Sequence, residues 1–218
     1  MGKIGRIVIF LASLSAGMPV LAVNAAMVPS SGALDFTVLR KGEDIGTHRI
    51  SFRRSGDALE VDIKTRIAVK IAFITVFRFD HDGHEVWRDN KLVAMETKTN
   101  DDGEDHSLVA TANGRGGLKI VGDGKEMTAK GSVIPASLWN ASFLETKQLL
   151  NSLVGTELAI DVTFKGEEPV TVKGRSIRAK HYSMTGDFER ELWYDPDWVL
   201  VKVAFKGEDG SEIQYVLR

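Results

Sequence analysis

The chain has 218 residues, with 28 Lys+Arg against 30 Asp+Glu, a net charge of -2, 43% hydrophobic residues and no Cys. Lack of cysteine excludes a disulfide scaffold, a thiolate metal site and a Cys nucleophile. The near-neutral balance excludes the basic surface of an ordinary nucleic-acid binder. The apolar content supports a real core, and the length suits one all-β domain.

The first element is a leader. Lys3 and Arg6 precede an uncharged run from Ile7 to Val23, and Asn24, Ala25 and Ala26 follow. A basic head, an apolar middle and small residues at its end predict a signal peptide over residues 1–25. Cleavage is expected after Ala25, with Ala26 as the second choice. Gly17 and Pro19 interrupt the run, which argues against a retained anchor. No later stretch is long enough to span a bilayer as a helix. The mature protein, residues 26–218, is therefore expected in the periplasm or secreted, without a transmembrane segment.

From Leu59 the odd positions Val61, Ile63, Thr65, Ile67 and Val69 alternate with Glu60, Asp62, Lys64, Arg66 and Lys70. Such alternation predicts a half-buried antiparallel strand. The odd phase runs on through Phe73, Phe77 and Phe79, which would make roughly 70 Å of strand at about 3.3 Å per residue. A bend, bulge or unmarked turn is expected near 70–73, and the doubled apolar character of Ile71–Phe77 predicts burial on both sides. Turn residues recur at Lys41-Gly42, Gly56-Asp57, Asp89-Asn90, Asp102-Gly103, Asp123-Gly124, Lys165-Gly166-Glu167-Glu168, Thr185-Gly186-Asp187 and Asp209-Gly210. Gly, Asn and Asp supply the backbone that tight hairpins need. The spacing describes an antiparallel meander. One stretch breaks the rhythm: Trp139, Phe143, Leu149, Leu150 and Leu153 recur near the helical period between Ser137 and Gly155. An amphipathic helix at about 137–154 is expected there, inserted between two sets of strands.

Chemistry-bearing motifs are sparse. Asp80-His81-Asp82-Gly83-His84-Glu85 is the densest set of metal-ligand types. Alternation puts the two histidines on opposite faces unless a turn falls at Gly83, and the composition reads as a solvated turn or strand end. No metal, cofactor or catalytic residue is assigned. The glycines at Asn113–Gly117 lack the lysine and following helix of a phosphate cradle. Aromatic residues are numerous enough either to fill a core or to line a cavity. The candidate cavity lining is Phe73, Phe77, Trp87, Trp139, Phe143, Leu150 and Trp193.

Three segments carry a resemblance: Glu85-Val-Trp87 with the hairpin to Leu92, Ser137-Leu-Trp139-Asn140 with Leu149–Gly155, and Leu192-Trp193-Tyr194-Asp195 with Trp198–Lys202. In this order they resemble a family of uncharacterised exported bacterial proteins of unknown function. Such families are also similar, remotely, to periplasmic half-barrels that carry lipids or lipoproteins. The likeness is architectural, so it implies a fold and no residue roles.

The sequence thus predicts one mainly β domain, a curved antiparallel meander forming a partly open barrel, with one amphipathic helix on its concave side. Three functions follow from it. The first is a non-enzymatic binder or carrier of an apolar small molecule, a lipid or an acyl chain. The second is a structural or protein-interaction module of the cell envelope, with an envelope protein as partner. The third is a metal-assisted enzyme at His81 and His84.

Overall fold

The computed structural model describes residues 27–218. The predicted signal peptide lies outside them. Fourteen strands form one antiparallel sheet. They are β1 (Ala33–Arg40), β2 (Glu43–Ser55), β3 (Ala58–Ile71), β4 (Ile74–Arg88), β5 (Lys91–Asp101), β6 (Glu104–Ala112), β7 (Leu118–Gly122), β8 (Lys125–Ala129), β9 (Gln148–Leu150), β10 (Glu157–Val172), β11 (Arg175–Gly186), β12 (Arg190–Tyr194), β13 (Leu200–Lys206) and β14 (Glu212–Leu217).

The order in space is β8 through β1, then β14 down to β9. Two meanders are therefore joined by their outermost strands in the chain, β1 and β14, in the register Phe36 to Leu217 and Val38 to Tyr215. The sheet stays open between β8 and β9, and residues 130–147 connect those two edges. Register slips at Val38/Leu39, Val69/Lys70, Val86/Trp87, Phe164/Gly166 and Trp193/Tyr194 supply bulges, which bend strands and raise local twist.

The long alternating run folds as expected into two strands. The turn between β3 and β4 falls at Ala72-Phe73, with Ala72 forced to φ 54. Burial on both sides is not found there. Ile71, Phe73, Ile74 and Val76 are exposed, Phe73 completely. A hairpin tip that overshoots its neighbours has no second layer to pack against, so its apolar character follows no burial pattern. The Lys165–Glu168 stretch is likewise no turn. It lies inside β10, where Gly166 forms a bulge opposite β11.

The predicted amphipathic helix at 137–154 is absent, and no α-helix occurs among the described residues. The segment contains a single 3-10 turn, Ala141–Glu145, followed by the short strand β9 and a further turn. Local side chains compete with helical bonding throughout. Asn140 accepts from the Ser142 N–H, Thr146 donates to the Phe143 carbonyl, and Asn151 accepts from the Leu153 N–H. The backbone of Gln148–Leu150 pairs with β10 and with the incoming arm, where Leu150 N–H donates to the Ile134 carbonyl. That arm also covers the β9 edge, which would otherwise offer free pairing groups.

The segment still buries the apolar side chains that suggested a helix. Trp139, Phe143, Leu149 and Leu150 belong to the main core. Trp139 meets Phe52 and Trp87 edge-on at 5.3 and 5.4 Å. Tyr194 on β12 donates to the Leu138 carbonyl at 2.7 Å. Thr97 on β5 donates to the Ser152 carbonyl, also at 2.7 Å. The connector is thus a plug held by both halves of the curled sheet.

Gly122 on β7 makes room for this plug, because a Cβ there would lie 2.0 Å from the Val154 carbonyl oxygen. Gly122→Val is expected to cost about 1–3 kcal/mol through overpacking. A urea midpoint unchanged from the parent would show that residues 151–155 do not press on β7.

Candidate functional site

The inward phase of the central strands is mostly apolar, and one registered polar row crosses it. His48 on β2 pairs with Thr65 on β3, Thr65 with His81 on β4, and His81 with Thr99 on β5. Successive side chains alternate between faces, so these four share the concave one. His48 Nδ1 and Thr65 Oγ1 share a hydrogen bond of 2.7 Å, as do His81 Nδ1 and Thr99 Oγ1. Burial holds both imidazoles neutral. It pushes His48 down to about 3, with help from nearby His81, and His81 down to about 4 despite the opposing pull of Asp82.

His48, Thr65 and His81 of this row form one wall of a cavity of about 370 Å³. Ile63 and Phe79 continue the wall on β3 and β4, and Leu200, Val203, Phe205 and Tyr215 supply the facing one. The plug closes another side with residues 136–138 and 151–153. Its volume falls in the range of small-molecule pockets, roughly 300–1,000 Å³, and its apolar walls with few polar groups fit the same pattern.

Arg190, at the start of β12, is the cation of this cavity. Its guanidinium lies 3.9 Å from the ring centres of both Phe188 and Phe205, and it donates to the Glu189 carbonyl. Burial lowers its pKa to about 10, which leaves it charged at neutral pH. Tyr215 is raised to about 12, again by burial. Asp101 and Asp187 also line the space, and neither reaches ion-pair distance of Arg190.

A second buried polar cluster lies under the plug. Glu85 is fully buried and accepts from Trp87 Nε1 at 2.8 Å and Trp139 Nε1 at 3.0 Å. Burial raises its pKa, against the lowering effect of these two donors. Glu85 Oε1, Ser137 Oγ, Asn140 Nδ2 and Ser152 Oγ find no hydrogen-bond geometry with the protein. All four sit where the plug meets the sheet.

None of the seven residues chosen from sequence lines the cavity. Trp87, Trp139, Phe143 and Leu150 are core, Phe77 packs in a small satellite cluster with Ile67 and Ile213, and Phe73 is the exposed hairpin tip. Trp193 lies opposite the inward Leu192 and Tyr194, stacked on His181 at 4.4 Å, with its Nε1 donating to Glu168. The segment around Gly83 is neither the expected solvated turn nor a strand end, since it lies within β4. His81 is buried there and His84 faces out to Asp62. Among the described residues no three His, Asp or Glu side chains come together as metal ligands.

The missed residues left different traces. His81 and Glu85 stand on odd positions of β4, continuing the inward phase of Phe77, Phe79 and Trp87. Polar residues on an apolar phase are the signal that could have found them. Arg190 shares the phase of Leu192 and Tyr194, but Trp193 between them is also apolar, so this short strand shows no clear alternation.

These features define a curled, open β-sheet with an internal plug and a mostly apolar cavity between them. The chain belongs to the family described as Domain of unknown function (DUF6134), whose model matches residues 36–218. A similar solved structure is that of a beta-barrel-like protein of domain of unknown function DUF1849 from Brucella abortus. It superposes with a TM-score of 0.57 at 13% identity, covering 85% of this chain and 94% of that one. At that identity the likeness concerns the fold. No curated protein matches the sequence. No helix among the described residues is long and apolar enough to cross a membrane.

Proposed function

We propose that this protein is an exported, non-enzymatic binder or carrier of an apolar ligand, a lipid or an acyl chain, working in the periplasm. The observation that carries the reading is the cavity of about 370 Å³ between the sheet and its plug, open on one side. Its walls are mainly apolar, and its two histidines are held neutral by burial. The leader at residues 1–25 supports export. The test is uptake of the uncharged dye phenylnaphthylamine by purified protein, read as fluorescence. Saturable uptake is expected, and its abolition by Val203→Trp, which fills the space, would place the dye there. A parent protein that takes up no dye would refute the reading.

A second reading, an interaction module of the envelope, is favoured by the β3–β4 tip. Ile71, Phe73 and Ile74 project from it, with Lys70 beside them. Phe73→Ser is expected to leave the urea midpoint unchanged, because a fully exposed ring buries nothing. A lowered midpoint would show the ring packed. Loss of cross-linking to an envelope protein in this variant, with dye uptake absent in the parent, would favour the second reading over the first.

A further inference from the structure

The cavity is not uniformly apolar, and its polar groups are unevenly matched. Arg190 brings a permanent charge into a largely buried position, where a guanidinium ordinarily finds a carboxylate. No ion pair reaches it among the described residues. Two aromatic faces and one backbone carbonyl are its partners, and they leave most of its N–H donors unused. Beside it stands Tyr215, close enough to couple to its charge, with a hydroxyl that has no hydrogen-bond partner among the described residues. His48 and His81 commit Nδ1 to threonines and leave each Nε2 without a partner.

The carboxylates of the cavity do not answer this cation. Asp187 accepts from the Ala159 N–H at 2.9 Å and is the exposed residue of the lining, which places it at the rim. Asp101 sits at the end of β5, near His106 and other acids. One unanswered positive charge inside, with two acids in the same lining, favours a monoanion over a dianion.

We infer that the cavity binds an amphiphile with one oxyanion headgroup, a long-chain carboxylate, whose headgroup pairs with Arg190 and Tyr215 while its chain lies along Ile63, Phe79, Leu200 and Val203. This rests on the carrier reading above and adds the class of ligand. Arg190 is then a specificity-determining residue, because an uncharged chain of the same length would leave it unpaired.

The test is competition against phenylnaphthylamine by dodecanoate and by dodecanol, which share a chain and differ in the headgroup. The parent should bind dodecanoate at least about ten-fold more tightly, the size of one charge-assisted hydrogen bond. Arg190→Met should bring dodecanoate to the level of dodecanol while leaving dodecanol and dye unchanged. Arg190→Lys should keep part of the preference. Equal binding of the two competitors by the parent would overturn the headgroup assignment and leave the carrier reading standing. That comparison needs no variant, so it decides the matter even if Arg190→Met does not fold. An unchanged preference in a folded Arg190→Met would overturn it as well. A parent that binds neither dye nor competitor would refute both inferences together.

Discussion

Trp139→Ala is expected to remove about 3–5 kcal/mol of stability, the range for emptying a buried tryptophan site. The side chain is fully buried and packs edge-on against Phe52 of β2 and Trp87 of β4. Its indole N–H is also one of two that serve Glu85, a carboxyl with no access to solvent. Removing it leaves that carboxyl short of a donor as well as opening a cavity. Total stabilities of about 5–15 kcal/mol make this a large fraction of the whole. Urea denaturation of parent and variant measures it. A loss below about 1 kcal/mol would mean that the plug adds little to the folded sheet.

The second large effect is acid destabilisation through the buried histidine row. His81 ionises near its ordinary 6.5 in the unfolded chain and only at about 4 in the fold. Between those values the unfolded chain binds the extra proton, so stability is full above 6.5 and falls as pH drops toward 4. The loss from His81 alone is on the order of 3 kcal/mol by pH 4. His48, held down to about 3, acts in the same direction. Glu85, Asp101 and Asp195 are raised by burial, take up protons in the fold and offset part of the loss. The difference between two proteins removes that offset. His81→Gln, neutral at every pH, should lose on the order of 3 kcal/mol less than the parent between pH 7 and pH 4. Parallel stability curves would show His81 ionising freely in the fold.

The strands and most turns were legible because burial on one face writes a period of two into the sequence, as it does from Leu59 to Val69. Asp89-Asn90 could be read as a turn because both residues accept positive φ, here 47 and 63. The plug was not legible. Its apolar spacing suits a helix, and only the competing side chains of Asn140, Thr146 and Asn151, with pairing to β10, decide otherwise. The joining of β1 to β14 is a contact between distant segments with no local signature.

The three segments that carried the family resemblance turn out to be structural neighbours. Trp87 and Trp139 both donate to Glu85, and Tyr194 holds the Leu138 carbonyl while Leu138 itself sits at φ 63. A bulky residue in the left-handed region is strained, and such strain persists only where its surroundings fix it. The motifs therefore pin the plug. The plug segments and Leu200 contribute to the cavity wall, but its polar groups His48, His81 and Arg190 lie outside the motifs and are brought together by register across six strands or more.

The most direct measurement is native mass spectrometry of the protein recovered from the periplasm of its own host without detergent or solvent. The chain should begin at Ala26 or Met27 and carry an adduct that collisional heating releases as an amphiphile with one carboxylate. Bare polypeptide in every charge state, from protein that also takes up no phenylnaphthylamine, would contradict a ligand-binding cavity.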